Sequence, residues 1–403
     1  MSTMTIQEYE HAFKPYSLSH ALLNLTDECN LRCKYCFTSH NPKRMTLETA
    51  KKAIEFMWNN KGNNETISIA FFGGEPMLEY ETIIQPIVEW VKTTDMKIKW
   101  GMTTNGTHFT IERLDWLKEN KIGFLLSIDG DKFTQDYNRP CANGKSSFDL
   151  IKPMVPEILK RFPDTTFRST AIPETADKIV DNYLFARKMG FKDFYIMPNV
   201  MEKWEQADID KYNFQIGTIY NILYRDVSMG IYPLGIHNLI KTYSSFFEPE
   251  RCPSLKDCYR CGLGTTTIGI GTDGSIWGCQ EHSTYGENKD IFYIGDIYNG
   301  IDPIKHIKLL EEFSKTRNLI PEVENMCENC IRKKWCKDLH CPSHNWNNFK
   351  DLRKQDKMSC LYRMFEDSIA IQLLIQAQEE NNQLYYQFVQ ESLNEMRGKK
   401  YAM

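Results

Sequence analysis

Cys29, Cys33 and Cys36 stand in the stretch Cys29-Asn-Leu-Arg-Cys33-Lys-Tyr-Cys36. Thiolates are the usual protein ligands of iron–sulfur clusters. Three of them at this spacing can hold three irons of a four-iron cluster and leave the fourth iron without a protein ligand. Such a cluster offers an open iron for chemistry as well as a route for electrons. The competing reading is a zinc knuckle, which needs a fourth Cys or His at complementary spacing. His40 is the nearby candidate for that role.

The elements that must position these thiolates follow a repeating pattern. Short apolar runs alternate with helical patterns from about residue 20 to residue 200. Strand candidates are Leu22–Thr26, Ile67–Phe72, Ile98–Thr103, Phe124–Ile128, Phe167–Ile172 and Phe194–Met197. Between the first two, Thr46 is placed to cap a helix whose apolar face is Leu47, Ala50, Ile54, Met57 and Trp58. Strands alternating with helices imply parallel β/α units, and in barrels of such units the C-terminal strand ends carry chemistry. Polar groups gather at those ends. Phe72-Gly73-Gly74-Glu75-Pro76 follows the second strand; its glycines allow close backbone approach, and Glu75 can accept from an ammonium group. Thr103-Thr104-Asn105-Gly106 follows the third strand and Ser127-Ile128-Asp129-Gly130 the fourth. Their short polar side chains suit ribose hydroxyls, although the same residues make ordinary turns. Arg168 lies mid-strand, where an unpaired guanidinium is costly.

A chain of 403 residues has room for two or three domains. Its net charge of −4 argues against a nucleic-acid footprint. It has no apolar run of the ~18 residues a membrane span needs, and its first residues lack the layout of a signal peptide. Thirteen cysteines in such a chain read as metal ligands in a reducing compartment, which places the protein in the cytoplasm.

Many of those cysteines form a second field: Cys261, Cys279, Cys327-x2-Cys330-x5-Cys336-x4-Cys341 and Cys360. The sequence between the first two, Thr-Thr-Thr-Ile-Gly-Ile-Gly-Thr-Asp-Gly-Ser-Ile-Trp, reads as a β-hairpin with Asp273-Gly274 at its turn, bringing Cys261 and Cys279 to one end. Tetrathiolate zinc sites use spacings similar to those of Cys327 to Cys341.

Cys-x3-Cys-x2-Cys with Tyr35 before the last Cys, directly after a strand, resembles the radical S-adenosylmethionine superfamily. The resemblance implies a partial (β/α)6 TIM-type barrel in which S-adenosylmethionine chelates the open iron of a 4Fe-4S cluster on Cys29, Cys33 and Cys36. Reduction of that cluster then gives a 5′-deoxyadenosyl radical. It further implies that Tyr35, Gly73, Gly74, Glu75, Asn105, Ser127, Asp129 and Arg168 bind the cofactor: Gly73 to Glu75 at its amino group, Ser127 and Asp129 at its ribose, Arg168 at its carboxylate. Asn138 and Arg139 recur in similar enzymes and serve there to fix a loop. The second field resembles the SPASM domain, which carries two auxiliary 4Fe-4S clusters. That likeness assigns Cys261, Cys279 and Cys341, completed by Cys258 or Cys252, to the first, and Cys327, Cys330, Cys336 and Cys360 to the second. One departure is the fourth residue in Lys337-Asp338-Leu339-His340, where the family pattern has three.

The implied architecture is α/β: an extension (1–20), a radical barrel (21–205), a helical bridge (206–250), a cysteine-rich SPASM domain with its hairpin (251–365), and a C-terminal helix (366–403). Within the tail, Met364–Met396 reads as one helix, with Ile369, Leu373, Leu374 and Ile375 on or near a face packed on the SPASM domain. The implied activity is hydrogen abstraction from a ribosomally synthesised precursor peptide to install a cross-link, with a cysteine thioether as the leading bond. Carbon–carbon or carbon–oxygen cross-links, epimerisation and formylglycine formation in a sulfatase are alternatives, and a multi-cluster electron carrier is an alternative of another class. In sulfatase-maturating enzymes an Asp follows the hairpin cysteine as base. Here Gln280 stands there, with Glu281 next as the substitute catalytic residue. Twenty-eight residues precede Cys29, too few for a leader-binding module, which implies a separate leader-recognition protein. A flavodoxin- or ferredoxin-type donor would supply electrons.

Overall fold

The computed structural model describes residues 5–13, 16–231, 234–247, 262–285, 290–314, 318–319, 321–328, 330, 341–355 and 357–400. Among the described residues the strands are β1 (His20–Thr26), β2 (Ile67–Gly73), β3 (Ile98–Thr104), β4 (Leu125–Leu126), β5 (Phe167–Ala171), β6 (Asp193–Pro198), β7 (Gly235–Ile236), β8 (Thr267–Ile270), β9 (Ser275–Trp277), β10 (Tyr293–Asp296), β11 (Gly300–Ile301), β12 (Asn318–Leu319) and β13 (Lys354–Gln355). The chain forms two compact units. The first is Met1–Arg32, Cys36–Leu125 and Pro253–Thr316; the second is Cys33–Tyr35, Leu126–Cys252 and Arg317–Met403.

In the first unit, β1 runs parallel to β2 with Leu23 opposite Phe71, and β2 runs parallel to β3 with Ile67 opposite Ile98. Ala21, Leu23, Leu25, Ile67, Ile69 and Phe71 are buried, which is why these runs read as apolar rather than alternating. Thr46 caps the helix Leu47–Asn59, its side chain accepting from the Thr49 N–H at 3.1 Å. Ala50, Ile54 and Met57 are buried on its inner face, while Leu47 and Trp58 stay half-buried.

The hairpin forms as expected, with β8 antiparallel to β9 around a turn in which Asp273 Oδ1 accepts from the Ser275 N–H at 3.0 Å. Its far side is unexpected. β8 pairs in parallel with β1, His20 opposite Thr267 and Leu23 opposite Ile270. The hairpin therefore extends the sheet that carries the cysteine motif, in the order β11-β10-β9-β8-β1-β2-β3.

In the second unit β5, β6 and β7 form a parallel sheet, with Phe167 opposite Phe194 and Asp193 opposite Gly235. β4 is shorter than the expected Phe124–Ile128. Past it, Ser127 only bridges Arg168 of β5, and the Ile128 N–H donates to the Arg168 carbonyl at 3.1 Å. The tail is two helices, Lys357–Glu379 and Gln383–Lys400, rather than the single one expected. The break is at Asn381, which takes a left-handed backbone (φ 54°), a conformation Asn tolerates better than most residues. The tail docks mainly on the helices Gln206–Ser228 and His237–Phe247: Tyr243 Oη lies 2.7 Å from Tyr385 Oη, and Asn238 donates to Glu366 at 3.0 Å. Leu373 is buried there, but Ile375, expected on or near the apolar face, is 51% exposed. Among the described residues, no helix is long and apolar enough to cross a membrane.

Candidate active site

In the first unit the chemistry-bearing residues meet where β1, β2 and β3 end. Gly73 has φ +127°, and a Cβ there would lie 2.3 Å from the Asn24 side chain and the Thr26 carbonyl. A Cβ on Gly74 would lie 2.1 Å from the Glu28 carbonyl. Only glycine fits at these positions. The close approach they permit is to the chain's own backbone: Gly74 N–H donates to Thr26 O at 2.6 Å and Glu75 N–H to Glu28 O at 2.9 Å. The end of β2 is thereby pinned against the residues immediately before Cys29.

Glu75 is 1% exposed. Its carboxyl accepts from the Met77 N–H (3.0 Å), the Thr104 hydroxyl (2.7 Å) and the Asn105 N–H (2.7 Å). Burial pushes it up to about 7, against the pull of these three donors. Asn105 also donates to Asn30 Oδ1 at 3.0 Å, and its amide lies 3.7 Å from Cys29 Sγ. The Leu31 N–H reaches the same sulfur at 3.3 Å. A cleft of about 410 Å³, lined by Glu28, Cys29, Asn30, Arg32, His40, Pro42 and Leu78, opens beside Cys29. Cys36 is exposed.

In the second unit Asp129, fully buried, is a hub. One carboxylate oxygen accepts from the Thr170 N–H at 3.0 Å and lies 3.1 Å from Arg139 Nε. The other accepts from the Tyr35 hydroxyl at 2.5 Å and from Asn138 Nδ2 at 3.0 Å. A ribose hydroxyl would have to displace one of these four protein partners. Burial and the nearby negative charges hold the Tyr35 phenol well above its ordinary value, so it stays a donor. Arg139 is 8% exposed, stacks 5.2 Å over the Tyr35 ring and brings Nη1 to 3.9 Å from Cys33 Sγ. Lys34 completes the arrangement: its N–H donates to Asn138 O at 2.9 Å and its ammonium lies over the Tyr137 ring. Arg168 lies over the Tyr195 ring at 4.7 Å, and its buried Nη1 has no hydrogen-bond partner among the described residues. Ser127 is half-buried beside it in the sheet.

Of the second cysteine field, Cys279 follows β9 in the first unit, half-buried, with Gln280 Oε1 3.8 Å from its sulfur. The turn that follows, which contains Glu281, returns to the cysteine-motif strand: Asn24 donates to Ser283 O at 3.2 Å, and Ser39 to Thr284 O at 2.9 Å. Gly264 N–H donates to Gly278 O at 3.1 Å, so the stretch just after Cys261 lies against the residue before Cys279. In the second unit Cys327 and Cys330 adjoin, Cys341 precedes the helix Pro342–Phe349, and Cys360 lies in the first tail helix. All four are half-buried and outside any disulfide. Cys252, Cys258, Cys261 and Cys336 lie outside the described residues.

These residues fit a cluster with a zwitterionic ligand. Cys29, Cys33 and Cys36 lie outside any disulfide, none of them fully buried. N–H groups reach two of the sulfurs, as anionic thiolates require. In the first unit a buried acid that is half-ionised near neutral pH suits an ammonium; in the second, a guanidinium nitrogen without a hydrogen-bond partner among the described residues suits a carboxylate. The sequence undervalued Arg139. Its one signal there was position, directly after the asparagine that caps Asp129.

A model of the Radical SAM superfamily matches residues 23–186. A Methanocaldococcus jannaschii protein, MJ0907, is 36% identical over 149 residues, 36% of this chain and 50% of that one. The cysteine-type anaerobic sulfatase-maturating enzyme of Clostridium novyi is 24% identical over 351 residues, 82% of this chain and 86% of that one. Among solved structures, anSMEcpe with bound AdoMet aligns with a TM-score of 0.71 at 20% identity, covering 94% of this chain and 98% of that one. Streptococcus suis SuiB bound to its precursor peptide SuiA aligns at 0.58 and 14% identity, covering 85% and 76%. Residues 23–186 are thus a radical S-adenosylmethionine domain, and the chain is an enzyme with an α/β fold built on a partial-barrel parallel sheet.

Proposed function

We propose that this enzyme is a peptide maturase that joins a cysteine sulfur to a carbon of another residue in a ribosomally made precursor. Cys29, Cys33 and Cys36 would hold a 4Fe-4S cluster; Glu75 and Arg168 would receive the ammonium and carboxylate of S-adenosylmethionine, and Ser127 its ribose. When bound, cluster and cofactor supply one reducing electron and remove one hydrogen atom from the peptide. The bond costs the peptide two hydrogens. The second would leave as a thiol proton and an electron, which an auxiliary cluster held at the second cysteine field would accept. The observation that carries this reading is the hairpin. It places Cys279 on an extension of the sheet that bears Cys29, and the turn after it returns to β1. Gln280 beside Cys279 is an amide without a basic site, which favours cross-linking over a base-dependent oxidation. The bound SuiA in the SuiB structure supports a peptide substrate.

Formylglycine formation in a sulfatase is the second reading, favoured by the sulfatase-maturating relative that matches 82% of this chain. Co-expression with a cysteine-containing precursor, followed by mass spectrometry and thiol alkylation, decides. A thioether gives loss of two hydrogens and a cysteine that no longer alkylates. A carbon–carbon cross-link gives the same mass with a reactive thiol, epimerisation leaves the mass unchanged, and conversion of a sulfatase cysteine to an aldehyde would sink the thioether reading.

A further inference from the structure

The second unit holds the middle of the cysteine motif in a clasp. Tyr137, Asn138 and Arg139 grip Cys33, Lys34 and Tyr35 through the Lys34 N–H to Asn138 O bond, the Lys34 ammonium over Tyr137, and the Arg139 guanidinium over Tyr35. Asp129 does not need Arg139 to satisfy its oxygens, because Thr170, Tyr35 and Asn138 already donate to them. What Arg139 adds is charge, and it adds it at one sulfur: Nε faces Asp129 at 3.1 Å, while Nη1 faces Cys33 Sγ at 3.9 Å.

Resting on the radical-domain reading, we propose that Arg139 is a positioning residue for the iron–sulfur centre, setting a fixed positive charge on the Cys33 side and so raising the cluster's reduction potential. Adding an electron to a thiolate-ligated cluster makes it more anionic, and a cation held nearby in a largely dehydrated pocket favours that state. Guanidinium never deprotonates in a protein, so the charge is permanent. Asp129, 3.1 Å from Nε, offsets part of that charge.

The test is a redox titration of the cluster-loaded full-length protein under anaerobic conditions, followed by electron paramagnetic resonance. The relevant signal is identified as the one that changes when S-adenosylmethionine is added. In R139Q that signal is expected to titrate at a more negative potential, with the reduced-to-oxidised ratio about tenfold lower at a fixed potential, a shift of about 59 mV for one electron. R139K, which keeps the charge, is expected to recover most of the difference. Signals from other clusters should stay put. Should R139Q fail to fold with its buried partner stranded, the double variant D129N/R139Q removes both charges together and is expected to shift the same way by a smaller amount. An unchanged midpoint in iron-replete R139Q or D129N/R139Q overturns the proposal, as does an R139K midpoint no higher than that of R139Q. A wild-type protein whose iron signals ignore S-adenosylmethionine overturns the underlying reading, and the proposal with it.

Discussion

Cys29 and Cys33 sit four residues apart in one motif, yet the buried acids near them are partnered differently. At Cys29 the sulfur receives the Leu31 N–H and the Asn105 amide while the Arg32 guanidinium donates to the Cys29 carbonyl at 2.6 Å, and the nearby acid, Glu75, is buried with no cation among its hydrogen-bond partners in the described residues. At Cys33 the sulfur meets a guanidinium, and the nearby acid, Asp129, is paired with it. The pairing decides how each carboxyl behaves. Without a cation, desolvation wins over three hydrogen bonds and lifts Glu75 to about 7. The first unit therefore keeps an acid whose charge a cationic ligand can still switch on. The second keeps a permanent charge pair, suited to holding a geometry.

The contrast can be broken at several points. The largest effect belongs to the motif itself. Cys29→Ala, Cys33→Ala or Cys36→Ala is expected to abolish S-adenosylmethionine cleavage and to lower iron content. Chromatographic assay of 5′-deoxyadenosine and iron analysis check this, and a Cys36→Ala protein that still cleaves the cofactor would refute the ligand set. Next, Asp129→Ala strands the Arg139 charge in a buried pocket. It should destabilise the second unit by about 3–5 kcal/mol in urea unfolding. A loss below ~1 kcal/mol would mean that water reaches the pair and that the contrast with Glu75 is overstated.

Glu75 gives a test in pH. Its folded-state pKa, about 7, lies above the ordinary carboxyl value of 4.5. Its contribution to stability is thus fully present below pH 4.5 and is lost as pH rises through about 7, on the order of 3 kcal/mol in total. Unfolding free energy measured from pH 4.5 to 8 should fall more steeply in the wild type than in Glu75→Gln. With the cofactor the sign reverses. An ammonium bound at Glu75 selects the carboxylate, so affinity should rise with pH, about tenfold per unit below pH 7, and flatten above it. Calorimetry showing pH-independent binding would remove Glu75 from the ammonium site. The smallest effect is Asn105→Ala, which deletes one weak donor to Cys29 and should shift the cluster potential less than the loss of Arg139.

The motif, the six strand positions, the Thr46 cap and the hairpin were legible because each is local: spacing, apolar runs, a cap and a turn are written within a few neighbouring residues. What escaped depends on pairing across long stretches of chain. The parallel pairing of β8 with β1 joins residues about 247 apart, His20 with Thr267, and leaves no local trace. Gly73 and Gly74 read as a ligand cradle, and a second demand on them, the close approach to Asn24, Thr26 and Glu28, shows only in the fold. Arg139 read as a loop residue because only the fold brings it to Cys33. The tail read as one amphipathic helix because its pattern runs on through Asn381, where only the backbone turns.

The proposed chemistry depends on an iron left open to the cofactor by Cys29, Cys33 and Cys36. Electron paramagnetic resonance of the anaerobically reduced protein, recorded before and after adding S-adenosylmethionine, addresses this most directly. The expected result is a four-iron signal whose shape changes on addition, lost when any of the three cysteines is replaced. Zinc at these thiolates, or a cluster signal that the cofactor leaves untouched, would contradict it.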